Sequence, residues 1–214
     1  MQQPESQGEK STDKIPEKLT APMIRDIVEK QIVRLEKYLT LKNRSLYQRD
    51  VLVWIRAAED GIARLKAERQ DTTALEAAFK AIRPKVAEAW SADAIAELDL
   101  YASGKHPRPM VNAFELMQEA QLSVDETAIS LPAKRAKEIE ERFAAVRSRG
   151  LSTWAKTLDS RATGLSSIEK AEARELARRT LRDDIDYFIA VANTDPTAKS
   201  LIVKMEALQA KLEK

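Results

Sequence analysis

The chain has no cysteine, one histidine and five glycines in 214 residues, and each shortage closes off chemistry. Without cysteine there are no disulfides, thiol nucleophiles or thiolate metal sites. One imidazole, His106, cannot supply the two or three histidines that zinc centres commonly draw from a single chain. Five scattered glycines build neither G-x-x-x-x-G-K-[ST] nor G-x-G-x-x-G, so nucleotide binding by those loops is excluded, and a G-x-S-x-G nucleophile turn is missing too. No apolar run approaches the roughly 18 residues that would span a bilayer, the strongest being Val51 to Ile55. A soluble, cytoplasmic protein is expected.

Scarce glycine beside abundant Ala, Leu, Glu, Lys and Arg favours helices over turn-rich sheets. Charged residues make up 33% of the chain, above the roughly 25% of ordinary domains, as expected for long helices with wet outer faces. Lys plus Arg number 36 against 34 Asp plus Glu, mixed evenly along both halves, so net charge gives no support to nucleic-acid binding. The expected fold is all-α, a bundle or elongated array of about eight or nine helices with no significant β-sheet.

Along the chain, a polar tail without fixed structure is expected over 1–19. A first helix opens at Thr20, with Ile24, Val28, Ile32, Leu35 and Tyr38 in one apolar stripe. A second runs from Ser45 to Arg69, and Val51, Leu52 and Val53 widen its apolar face far enough to need cover on more than one side. Thr73 and Glu76 have capping-box spacing before a third helix that Pro84 kinks or splits; Ser91 then caps a short one ending at Gly104. The KHPRP segment, 105–109, is the clearest break, and it divides a 20–104 subdomain from a 110–214 subdomain that could still pack as one.

In the second half, Ser123 with Glu126 and Ser166 with Glu169 repeat the capping-box spacing. Gly150 should end one helix, Gly164 a brief one after it, and Asp195-Pro196 should start the last. That final helix carries Leu201, Met205, Leu208 and Leu212 at alternating four and three spacing, like one strand of a zipper. There is no internal repeat.

Three candidate surfaces follow. The KHPRP loop offers Lys105, His106 and Arg108 to an anion, although an exposed loop histidine is the ordinary reading. Lys170, Arg174, Arg178 and Arg182 form an i, i+4 row that could contact phosphates, against which Glu175, Asp183 and Asp186 share the helix and no aromatic joins the row. Val51, Leu52 and Val53, with Leu201, Met205, Leu208 and Leu212, are the candidate association surface. Acid pairs at helical spacing, such as Glu138 with Glu141, could hold a divalent metal. Most of them have a base four residues away and read as salt-bridged outer faces, and Trp54, Trp90 and Trp154 read as core.

No catalytic residue, metal site or cofactor is assigned. The leading expectation is a non-enzymatic interaction or scaffold protein that binds a protein partner or itself. Nucleic-acid binding through the basic row comes second, and an all-α, carboxylate metal-dependent hydrolase third.

Overall fold

A computed structural model of the chain describes residues 19–107 and 112–213. The polar tail expected over 1–19 therefore lies, apart from Leu19, outside the described residues. Where the apolar residues recur every three or four positions the chain is helical: α1 (Ala21–Thr40), α2 (Gln48–Ala67), α3 (Thr73–Ala102), α4 (Ala113–Ser130), α5 (Ala133–Gly164), α6 (Ala171–Ala192) and α7 (Lys199–Leu212). Short 3-10 turns at Arg44–Tyr47, Leu165–Ser167 and Pro196–Ala198 lead into α2, follow α5 and lead into α7. The all-α expectation holds, and there is no strand among the described residues. None of these helices is long and apolar enough to cross a membrane.

Among the described residues seven α-helices stand where eight or nine were expected, because three punctuation signals do not punctuate. Ser91 lies inside α3, where its hydroxyl donates to the Glu88 carbonyl at 3.0 Å; Ser123 lies inside α4 and donates to the Ala120 carbonyl at 2.7 Å. Both side chains are buried and bond back along their own helix, so they do not cap one. Gly150 lies inside α5 at a close approach: a Cβ there would sit 2.6 Å from Met117 Cε and 3.2 Å from Leu98 Cδ1. A side chain there would have to displace the flexible end of Met117 and move Leu98 by a few tenths of an ångström. Pro84 leaves α3 continuous.

The caps also move. Thr72, one residue early, precedes α3, and the Thr73 amide donates to Asp71 Oδ1 at 3.0 Å. Ser166 sits in a 3-10 turn with its hydroxyl on the Thr163 carbonyl, and α6 begins only at Ala171. Asp195 does cap as read, accepting from the Thr197 amide at 2.9 Å, with Pro196 at the first position of the turn into α7.

Two apolar cores share one spine. Val28, Tyr38, Ile55, Leu65 and Trp90 belong to the first, built by α1, α2 and the first part of α3. Leu98, Met117, Phe143, Leu158, Phe188 and Met205 belong to the second, in which the end of α3 joins α4 to α7. The division between the cores falls within α3, between Trp90 and Ala94, and not at the 105–109 break.

Polar groups stitch the middle of α3 to its neighbours. Arg44 forks onto Asp93 at 2.7 and 2.9 Å, and the Tyr38 hydroxyl donates to the same carboxylate at 3.1 Å. The Trp90 indole donates to Glu119 Oε1 of α4 at 2.7 Å. Burial lifts the Glu119 carboxyl above the usual carboxylate range, against the opposing pull of the indole N–H and of Arg49. A carboxyl raised on folding contributes fully below its unfolded value, and the contribution is lost as pH rises through the folded value. Glu119→Gln, which keeps the oxygen that accepts from Trp90, should therefore melt a few degrees above the wild type at pH 7. The gap should close towards about pH 4, the unperturbed carboxylate range, in melting curves followed by circular dichroism.

Candidate ligand cleft

The surfaces singled out from sequence are mostly used internally. Val51 is fully buried in the first core and Leu52 packs against it, so of that segment Val53 alone, 63% exposed, faces water. Met205 and Leu212 are buried and Leu201 and Leu208 partly buried against the second core. Lys204 on Asp159 at 2.8 Å and Gln209 on Asp186 at 2.6 Å hold α7 against α5 and α6. The apolar width at Val51 and the zipper-like spacing of α7 are satisfied by the chain's own helices.

The basic row divides. The inward stripe of α6, Leu181, Ile185, Phe188 and Ala192, runs back through Arg178 and Arg174 at the same spacing. Arg174 accordingly turns onto the Ile168 carbonyl at 2.9 and 2.6 Å. Arg178 is partly buried, 4.0 Å from Glu175, with its Nε buried and without a hydrogen-bond partner. Lys170 and Arg182 remain exposed. In the KHPRP loop, Lys105 is exposed and Arg108 lies outside the described residues. The His106 side chain is only 4% exposed, with Nε2 2.8 Å from Glu97 Oε2 of α3. The expected solvent-facing histidine is tucked against α3.

Of the acids expected to bridge to a base four residues away, Glu141 does meet Lys137, at 3.8 Å. Other acids find different partners: Glu138 takes Arg135 at 2.8 Å, and Asp184 takes Arg161 of α5 at 2.5 Å. Among the described residues, no three His, Asp or Glu side chains come together as a metal site. Trp90 and Trp154 are core residues, whereas Trp54 is half-buried, 6.5 Å from the Tyr47 ring.

A site that sequence reasoning missed lies between α4, α5 and the turn from α6 to α7. It is a cleft of about 880 Å3, within the roughly 300–1,000 Å3 usual for ligand sites. Val124 of α4 and Phe143 and Ala144 of α5 give it apolar walls, and Thr194, Asp195 and Thr197 close one end. Arg147 of α5 lines it together with the acids Asp125, Glu140 and Asp195. The guanidinium lies 5.7 Å from the Phe143 ring centroid and donates to Gln121 Oε1 at 3.2 Å, to the Val191 carbonyl at 2.8 Å and to Thr194 Oγ1. With Gln121 and Thr194 it also forms the wall shared with a smaller pocket of about 290 Å3 beside Phe114 and Leu122.

No family model, curated protein or solved structure matches this chain. The cleft has to be read on its own chemistry.

That chemistry is set by where Arg147 sits. Burial lowers its pKa from the ordinary arginine value, and the nearby Asp195 carboxylate opposes that shift. Val191 lies in the last turn of α6, so the guanidinium also satisfies a helix-end carbonyl, and this is its structural role. Asp195, only 9% exposed, spends Oδ1 on the Thr197 amide and hydroxyl. The residues give little forewarning: Arg147 reads as one more base on a charged helix, and Asp195 as a cap. The available signal is the small pair Ala144 and Ala145, which at helical spacing sits among Glu140, Glu141, Arg147 and Arg149 on α5 and leaves room above the helix.

Proposed function

We propose that the chain is a non-enzymatic binding protein and that the cleft between α4 and α5 is where it takes a small, largely apolar ligand. The observation that carries this reading is a ligand-sized space with apolar walls and a few converging polar groups. Binding is favoured over catalysis because the hydroxyls of Ser148, Thr194 and Thr197 lack an imidazole to activate them; the single histidine is held at Glu97. Self-association through Val51 to Val53 or through α7 is less favoured, because those stripes are spent on the chain's own cores. Phosphate contact through the α6 row is likewise weakened, with Arg174 and Arg178 turned inward.

An uncharged fluorescent apolar probe, N-phenyl-1-naphthylamine, tests the reading. It should bind the wild type saturably at one site. Ala144→Trp, which fills the cleft from an exposed position, should abolish that binding without lowering the melting temperature. Equal fluorescence with both proteins would overturn the assignment.

A further inference from the structure

The cleft holds two opposite charges that make no direct ion pair with each other or with any other charged group among the described residues, although Asp195 lies near enough to favour the charged form of Arg147. Arg147 has five N–H donors. Three hydrogen bonds engage it, all to neutral acceptors. Asp195 is more than nine-tenths buried and bonds only the amide and hydroxyl of Thr197, both through Oδ1. A half-buried guanidinium and a mostly buried carboxylate, close enough to feel each other's charge but not in contact, present a positive and a negative pole side by side in one cleft.

A simple anion would satisfy Arg147 but would meet Asp195 and, at the rim, Asp125 and Glu140. A simple cation would satisfy the acids and be repelled by Arg147. We infer that the cleft selects a zwitterion with an apolar body, of the size of a short apolar peptide, its carboxylate on Arg147 and its ammonium group towards Asp195. Val124, Phe143 and Ala144 would receive the apolar side chains. Asp125 is partly neutralised as a competitor because it accepts from Gln121 Nε2 at 2.8 Å. This inference rests on the cleft being a ligand site.

Calorimetric titration with three related probes tests it: the dipeptide Leu-Leu, its C-terminal amide and its N-acetyl derivative. The wild type should bind Leu-Leu about tenfold or more tightly than either, as expected for a charge-assisted hydrogen bond made in a partly desolvated site. Arg147→Gln should reduce Leu-Leu to the level of the amide, and Asp195→Asn, which keeps an acceptor for Thr197, to the level of the N-acetyl form. Equal wild-type affinity for all three, or binding of the uncharged naphthylamine without any binding of Leu-Leu, would overturn the zwitterion and leave the cleft standing. Failure of the naphthylamine as well would remove both. The wild-type comparison decides the matter even if loss of Arg147 loosens the end of α6.

Discussion

Trp90→Ala is expected to cost about 3–5 kcal/mol of stability, the range for truncating a buried large aromatic, measured by urea unfolding. Trp90 has no exposed surface and is among the largest fully buried side chains. It belongs to the first core, yet its indole N–H reaches Glu119 of α4, a helix whose other buried residues lie mainly in the second core. Removing it opens a cavity where α3 serves both cores and strips a half-buried carboxylate of its donor. Trp90→Phe narrows the question, since it keeps most of the ring volume while losing the hydrogen bond, and should cost about 1–3 kcal/mol. A loss below about 1 kcal/mol for the alanine variant, the size of an ordinary substitution, would mean that the helices close over the space and that Trp90 does not hold α3 to α4.

What the sequence made legible was whatever is set by local periodicity. The stripe from Ile24 to Tyr38 forms the inward face of α1, and Asp195-Pro196 starts the turn into α7 as its chemistry requires. Signals that depend on context failed. A serine three residues before a glutamate caps a helix only if the chain turns there; inside α4, Ser123 could bond the preceding turn and the helix ran on. A glycine can end a helix or let another pack closely, and at Gly150 the neighbours Met117 and Leu98, distant in sequence, decide for packing. An i, i+4 row of bases drifts slowly around a helix, so its face is fixed only once the inward stripe is known. On α6 that stripe passes through Arg174 and Arg178. The cleft was least legible, because its walls come from three separated stretches and its two charged residues each have an ordinary structural reading.

The same dependence on distant partners gives Arg83 its weight, because it joins its helix to two others. It sits on α3 and binds Glu126 of α4 through Nε at 2.5 Å and Nη2 at 3.3 Å, and Glu59 of α2 through Nη1 at 2.5 Å. The Glu126 side chain is only 5% exposed and accepts a further hydrogen bond from Ser130 at 2.6 Å, while Glu59 is 40% exposed. Water can replace what Glu59 loses but not what Glu126 loses. Arg83→Met keeps an unbranched apolar stem near the Phe79 ring and strands the Glu126 carboxylate. The expected cost is about 3 kcal/mol, the low end for breaking a buried pair from one side, because the Glu59 side is open to solvent. Adding Glu126→Gln removes the stranded charge, so the double variant should recover more than half of that loss. Such recovery in denaturant titrations is the non-additivity expected of groups in contact. If the two substitutions simply added, the energy would lie in the packing of the Arg83 stem, and the ion cluster joining α2, α3 and α4 would contribute nothing of its own.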